Sequence, residues 1–517
     1  MRLPRLEIPV VVAMLALTLG CVAYPLSDYD YFWHLRTGYL ILESGAIPTQ
    51  DPYSFTAQGA PWEVQGWLFD LAMGWIHRSF GDTGLRLFFS LWVVAVFSIV
   101  HQTVRLYLAD TSRALLLTMS SVVGASMYFV ARPLVATLLG FALTLFLLLK
   151  HRRSGNMVWL LGIPVVMAAW VNLHYGFVTG LGLVGMVFLA DLFSRAMPIE
   201  GALVERGRLS FALFVGVMLS SLLALGANPE GYGVLATMVE MTRLSAGSAV
   251  AEWQSPDFHQ PGPLVFLLPL ALAIAAHALG RRRPDWLDLT LLFAMTGGAL
   301  YSMRHMPLAA IALAAVLARG YSGWTALPWS NRWVAILPES LRRRGGEDLG
   351  DRVHILNLLL VAAGVLVILA GRPWIDQWQE ARLRSAVPVE ATDFLEANAL
   401  PGPILNVYGA GGYLIWRMHP KQRVFIDGRY TPYPPEVIGD YLRIVNIQED
   451  WLARLDHHGI QTLLLSGPEA GLTQALVASG RFRLVYRDGA FGVLVRSEWS
   501  GLASLREKRP PGLLAVD

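Results

Sequence analysis

The feature that most constrains this chain is the recurrence of long apolar runs. A helix crosses a bilayer with about 20 apolar residues, fewer where helices pack inside a bundle. Runs of that order occupy 8–27, 85–107, 113–131, 133–150, 156–173, 175–196, 208–227, 262–280, 286–303, 305–322 and 353–371. The totals agree: 54% of the 517 residues are hydrophobic and 15% are charged, against about a quarter charged in a soluble protein. The sequence therefore predicts an α-helical polytopic membrane protein with about eleven transmembrane helices.

One further apolar stretch, 62–80, reads differently. Val64, Trp67, Leu68, Leu71 and Trp75 share a helical face, Asp70 and His77 lie off it, and Gly81 is placed to close the helix. A tryptophan-rich amphipathic helix lies along a membrane interface rather than across it. The distribution of positive charge supports leaving it out of the span count. With Met1 in the cytoplasm, nineteen Lys and Arg fall on inner segments, among them Arg152, Arg282, Arg319 and Arg342. Only Arg36, Arg78, Arg86, Arg132, Arg243 and Arg304 fall on outer ones before the last span. A cytoplasmic excess of this kind sets orientation, and counting 62–80 as a span would invert every later loop. The expected location is the cytoplasmic membrane, multi-pass, with the C-terminal part outside.

The single cysteine, Cys21, excludes an internal disulfide framework and a Cys-based zinc site. The run L-T-L-G-C has the outline of a lipoprotein signal. Thr18 and Leu19 are poor small-residue positions, however, and ten later spans make a lipid anchor redundant, so 8–27 reads as an uncleaved first helix. A net charge of +3 gives no reason to expect a nucleic-acid partner.

With this topology the polar clusters at span ends gather on the outer side: Asp28 to Asp51, Arg132-Pro133, Asn172 and His174, Asn228 and Glu230, Glu252 to Asp257, and Arg304-His305. Each alone has a structural explanation in capping, snorkelling or a turn. Six on one face, opposite plain arginines, point to a site at the outer boundary. The span centres hold almost no ionisable residue, and Asp191, His277 and Asp288 fall near inner ends. Ion-coupled transport would place charge at depth.

From about residue 374 short apolar strands alternate with helices, which suggests a small α/β domain. The helices expected are V-E-A-T-D-F-L-E-A-N, 437–447, W-L-A-R-L-D and one after I-Q-T-L-L-L-S. The strands expected are P-I-L-N-V-Y, a pair G-G-Y-L-I-W-R-M and R-V-F-I-D-G-R-Y, I-Q-T-L-L-L-S, and a final pair F-R-L-V-Y and G-V-L-V-R. The D-G-R turn at 427–429 reads as a tight loop with a surface ion pair as one alternative. The expected domains are thus 1–373, carrying an outer loop at 28–84, and 374–517 outside the membrane.

The outer loop concentrates the chemistry. D-Y-D-Y-F-W-H-L-R-T-G opens a helix with Asp28 as candidate N-cap, running to Gly45, with Asp30 and His34 on one face. Glycosyl transfer from an activated sugar-lipid needs a base for the acceptor hydroxyl as oxocarbenium character develops, and a cation for the departing phosphate, which the arginine fork suits. Asp28, Asp30 and His34 are the candidate catalytic residues. Arg132 and Arg304 are candidate phosphate partners, with Asn172, His174, Glu252, Asp257 and His305 as further substrate-binding candidates. A divalent metal is an optional addition, and no ligand spacing demands one.

A first span followed at once by an acidic D-x-D-type loop, an interfacial helix, many further spans and an outer C-terminal domain resembles the GT-C superfamily of polyprenyl-phosphate-sugar-dependent glycosyltransferases. The N-terminal loop resembles that of protein O-mannosyltransferases and aminoarabinose transferases. The set D-Y-D-Y-F-W-H-L-R-T-G, P-T-Q-D-P-Y-S-F-T, N-L-H-Y-G, E-W-Q-S-P-D-F, R-H-M-P-L and V-F-I-D-G-R-Y is similar to a group of bacterial GT-C-like membrane proteins. The resemblance implies an outer-face site with an essential loop aspartate, here Asp28 or Asp30. The expected partners are a polyprenyl-phosphate sugar lipid and a glycan, lipid or protein acceptor, but the particular donor and acceptor are not carried over from the family. The chain departs from the family in lacking the W-W-D-x-G motif of oligosaccharyltransferases and an H-P-P-L-like start to its interfacial helix. Two alternatives arise from the same residues. One is a non-catalytic member whose outer domain binds a glycan or protein partner. The other is a lipid or glycan translocase, which the empty span centres disfavour.

Overall fold

The computed structural model describes residues 8–23, 26, 28–64, 66–246, 251–280, 282–322, 350–429 and 431–505. Among the arginines expected on the inner side, Arg2, Arg5, Arg281, Arg332 and Arg342 to Arg344 lie outside these residues, as does Tyr430 of the D-G-R-Y motif. Two compact units form: residues 1–23 with 83–371, and residues 24–82 with 372–517.

Each of the eleven expected ranges contains a helix. Four helices among the described residues are long and apolar enough to cross a membrane: Trp67–Arg105, Leu134–Ser154, Phe177–Ala196 and the stretch Pro261–Ala278. Shorter apolar helices occupy Val10–Gly20, Met157–Leu173, Phe211–Leu225 and Trp286–Tyr301. Polar caps set several starts. Asp110 accepts from the backbone N–H of Arg113 at 2.8 Å, and Asp285 and Asp288 form a capping box ahead of Trp286–Tyr301. One helix, Gly233–Ala246, lies where no element was expected.

At the centre of the bundle is Met306–Tyr321, buried on every side from Met306 to Gly320. Pro307 sits in its first turn, where no N–H is needed. Alanine dominates the rest of the helix, which lets Thr111–Ala125, Leu267–Ala278 and Trp286–Tyr301 pack against it. Helices in lipid associate through this kind of close fit between small residues, since lipid tails are as apolar as the core.

One end of the bundle holds a buried charge network that corrects the expectation of plain inner arginines. Arg152 donates to Asp191, and to Glu205 at 2.5 Å. Arg319 donates to Asp288 and Asp285, both at 2.6 Å, and to Glu205 at 2.8 Å. Both guanidiniums are about 1% exposed. Glu205 lies between Phe177–Ala196 and Phe211–Leu225, so this connection is tied to two arginines rather than running free. Such a cluster costs desolvation and is worth most as a specifier of register, because removing one partner leaves the others uncompensated.

The second unit contains a four-stranded sheet of order β1-β2-β4-β3, with β1 Ile404–Asn406, β2 Thr462–Ser466, β3 Phe482–Arg487 and β4 Phe491–Arg496. β1 and β2 are parallel, joined through the helices Pro435–Val445 and Trp451–His457. β4 is antiparallel to both β2 and β3. Asp488 shapes the β3–β4 turn by accepting from the N–H groups of Ala490 and Phe491. The expected helices and strands are present, except for the pair at 411–430. Gly411–Met418 is a helix, and the R-V-F-I-D-G-R segment after it forms no named strand. Its only ladder contact among the described residues is a bridge from Val424 to Ser54.

That bridge shows how the outer loop is held. Ala57, Trp62 and Val64 are buried in the same apolar core as Leu405, Ile415, Phe425 and Leu463. Burying one such side chain contributes roughly 1.5–3 kcal/mol, so residues 51–64 are an integral layer of this unit rather than a mobile loop.

Candidate functional site

The acidic segment begins with a turn. The Asp28 carboxylate accepts from the Asp30 N–H at 3.0 Å, and the helix Tyr31–Ser44 comes next with Asp30, not Asp28, in the N-cap position. The Asp30 side chain accepts from Trp33 Nε1 at 3.1 Å instead of capping the backbone. Gly45 ends the helix with φ of 67°, as its sequence position suggests. Asp30 lies against Gly428 of the D-G-R turn, where any Cβ would collide with its Oδ1. Likewise, a side chain on Gly412 would strike the carbonyl of Tyr29.

His34 comes one turn after Asp30. Its Nδ1 lies 2.7 Å from Asp70 Oδ1, and its ring stacks on Trp33 with centroids 3.5 Å apart. Asp70 is completely buried, contrary to its expected place off the packed face of an interfacial helix. That helix starts at Trp67 rather than Trp62 and breaks at Gly81, whose φ of 60° and ψ of −160° interrupt Trp67–Arg105. Trp75 and Phe80 are exposed on it.

The D-G-R turn also departs from a surface ion pair. Arg429 grips Asp427 with two bonds of 2.8 Å and reaches Asp51 at 2.6 Å, all three side chains being buried. Tyr433 donates to Asp427 at 2.6 Å. The guanidinium lies 4.6 Å from the Trp62 ring and 4.9 Å from that of Tyr53. Burial opposes the charge on Arg429, but Asp427, Tyr433 and Asp51 outweigh it and hold the pKa well above its ordinary value. Asp51 in turn accepts from the N–H groups of Tyr53 and Ser54, fixing the loop's turn.

In the helical unit the structure brings together four of the expected polar residues. Arg132 pairs with Glu252. The carbonyl of Glu252 accepts from Ser302 Oγ at 2.9 Å, and Met303 N–H donates to Gln254 O at 3.0 Å. These bonds join the E-W-Q and S-M-R-H segments, so that Arg304 lies 4.8 Å over the Trp253 ring with His305 as the next residue. Asn172 and His174 are held elsewhere by their own helix end. The Asn172 amide donates to the carbonyls of Ala168 and Ala227. His174 Nδ1 lies 2.7 Å from the Thr137 hydroxyl and 3.1 Å from the Gly176 N–H. Asp257 is exposed, bonded to its neighbour His259. Bonds from the Gly176 and Glu230 N–H groups to His174 and Asn228 bear out capping and turn roles there.

Asp70, Asp427, Arg429 and Tyr433 were missed as members of this constellation. The sequence signals were the D-G-R run for Asp427 and Arg429 and the glycines at 38 and 74, one turn after His34 and Asp70, for Asp70; Tyr433 lies outside both. For a metal, no group of three or more His, Cys, Asp or Glu side chains with suitable placement exists among the described residues.

The chain combines a bundle of apolar helices, an acidic segment directly after the first helix and a C-terminal α/β element. The fold is similar to that of the archaeal oligosaccharyltransferase AglB from Archaeoglobus fulgidus, solved in complex with an inhibitory peptide and a dolichol-phosphate. The match has a TM-score of 0.51 at 11% identity and covers 95% of this chain and 74% of that one. The apo form of the Archaeoglobus fulgidus oligosaccharyltransferase gives 0.50 at 12% identity, with the same coverage of 95% and 74%. No protein-family model and no curated protein matches the sequence.

Proposed function

We propose that the chain is a glycosyltransferase that moves a sugar from a polyprenyl-phosphate-linked donor to an acceptor at the outer face of the cytoplasmic membrane. Its eleven apolar helices cross the bilayer, and residues 374–517 lie outside. The observation that carries the reading is the seating of Asp30 in a built environment, bonded to Trp33 Nε1 and packed on Gly428, within a GT-C-like fold. A fold neighbour solved with a dolichol-phosphate and a peptide supports a lipid-linked donor and a separate acceptor.

In the reaction the acceptor oxygen forms a bond to the anomeric carbon while the bond from that carbon to the phosphate oxygen breaks. The phosphate leaves with the electron pair, and a loop carboxylate, Asp30 or Asp28, takes the acceptor's proton. Arg132 and Arg304 are assigned to the phosphate, where a guanidinium matches the oxygens pairwise. Glu252 orients Arg132, and Trp253 supports Arg304. Asn172, His174, Asp257 and His305 are assigned to shaping the acceptor and donor surfaces.

A second reading, a non-catalytic binding protein of the same architecture, is favoured by one observation: both loop carboxylates already have local hydrogen-bond donors. Replacing Asp28 and Asp30 singly with Asn in a producing strain, and profiling its envelope glycans beside a deletion strain, separates the two. Loss of the glycan in at least one substitution at normal protein level is expected. A wild-type profile in both, with a defect on deletion, would leave the binding reading standing.

A further inference from the structure

His34 and Asp70 meet because two helices touch backbone to backbone. A Cβ on Gly38 would collide with the carbonyl of Asp70, and one on Gly74 would come within 2.6 Å of the Gly38 carbonyl carbon. Gly38 comes one turn after His34 and Gly74 one turn after Asp70, so each pair occupies a single helical face. Only glycine at both positions permits the approach. The imidazole is thereby clamped between a carboxylate at its edge and the Trp33 ring on its face.

A helix-to-helix staple does not account for the whole arrangement. The same crossing already has one, from the Tyr39 hydroxyl to His77 Nδ1 at 2.8 Å. The Asp70 carboxylate is completely buried, yet its Oδ2 has no hydrogen-bond partner among the described residues. Burying a carboxylate half-satisfied is costly, and the group it serves is a single ring nitrogen. His34 Nε2 makes no hydrogen bond to a described residue, and the side chain keeps 8% of its surface exposed.

We propose that Asp70 is a positioning residue that holds the proton on His34 Nδ1 and so leaves Nε2 as a proton acceptor. His34 then acts beside Asp30, one turn earlier on the same helix, by taking onto Nε2 the proton that the loop carboxylate has accepted. The Asp70 carboxylate fixes the imidazole's tautomer and orientation without itself taking the proton. This rests on the glycosyl-transfer reading for its use, but not for its structure.

The test uses the full-length protein in lipid nanodiscs, with 15N-labelled histidine. The chain has 12 histidines, and the signal lost in His34→Gln assigns this one. The expected wild-type signature is a protonated Nδ1 and an unprotonated Nε2. Asp70→Asn should move the proton to Nε2 and lower sugar transfer by about 10²–10⁴-fold, the range of a lost general base. Asp70→Glu should restore the tautomer and part of the transfer. A wild-type His34 carrying its proton on Nε2 overturns the proposal whether or not any Asp70 variant folds. Asp70→Asn with wild-type transfer also overturns it, while loss of transfer in Asp30→Asn leaves the broader reading intact. Unchanged transfer in both Asp28→Asn and Asp30→Asn sinks that reading instead, and the tautomer measurement stands apart from it.

Discussion

Removing the Arg429 guanidinium should destabilise the unit that carries the acidic loop, and by an amount that can be worked out from its contacts. Arg429→Met keeps most of the stem and deletes three charged hydrogen bonds, to Asp427 twice and to Asp51 once. The two carboxylates stay buried. Asp51 keeps the N–H groups of Tyr53 and Ser54, and Asp427 keeps Tyr433 and the residue 429 N–H. Breaking a buried pair from one side costs about 3–5 kcal/mol, and losing a desolvated cation over the Trp62 and Tyr53 rings adds up to about 2 kcal/mol. Against a typical domain stability of about 5–15 kcal/mol, that brings this unit close to unfolding. Arg429→Lys retains the charge but has no fork to serve both carboxylates, so it should fall between. Denaturant unfolding of the full chain in detergent, monitored by tryptophan fluorescence, measures the loss. Hydrogen exchange over residues 49–62 locates it. A double-mutant cycle of Arg429→Met with Asp51→Asn should give a coupling of about 0.5–3 kcal/mol. A cost under about 1 kcal/mol for Arg429→Met, with unchanged exchange in 49–62, would refute the reasoning that this ion pair fastens the loop.

The same unit yields further outcomes. Gly428→Ala should push the Asp30 carboxylate out of its seat and cut glycan transfer at an overpacking cost of about 1–3 kcal/mol. Gly439→Ala, where nothing lies within 4 Å, should leave both unchanged or slightly stabilise the helix Pro435–Val445. Burial, with Arg36, pushes the His419 pKa below its ordinary value of 6.5. The unfolded chain therefore binds that proton more readily, and stability is full above about pH 6.5 and is lost as pH falls through the lower folded value. His419→Gln should flatten the slope of the denaturation midpoint between about pH 7.5 and 5.5.

The sequence was legible wherever local pattern determines structure. The apolar runs marked where helices form, because helix length and apolarity are properties of one segment. Gly45 and Gly81 punctuated theirs through left-handed backbone that other residues resist. The hairpin β3–β4 was readable as a final pair of short apolar runs, F-R-L-V-Y and G-V-L-V-R. Gly411–Met418 misled because Tyr413, Leu414 and Ile415 suit a strand equally well. The preference was decided by neighbours, since the glycines at 411 and 412 let that segment press on the carbonyls of Ile426 and Tyr29. Arg429 was invisible as a buried clamp because Asp51 lies 378 residues away. Arg152 and Arg319 entered the sequence reading only as inner-side charges, because they meet their partners through the packing of separate helices. Asp70 looked off-face because the face that buries it belongs to the crossing with Tyr31–Ser44, which no pattern inside 62–80 contains.

The way the loop is built also determines which experiments can separate catalysis from binding. Deleting 374–517 looks like a clean test of a binding domain, on the premise that the loop would survive the cut. It would not. The deletion removes Gly428 from against Asp30, Arg429 from Asp51, Val424 from its bridge to Ser54, and the apolar partners of Trp62 and Val64. Both a catalytic loop and a binding domain would then fail together, so truncation favours neither. Point substitutions that keep the core discriminate instead: Asp30→Asn removes a proton acceptor while leaving an oxygen for Trp33 Nε1. Loss of transfer in that variant, with unchanged exchange in 49–62, is an outcome a purely structural loop does not produce.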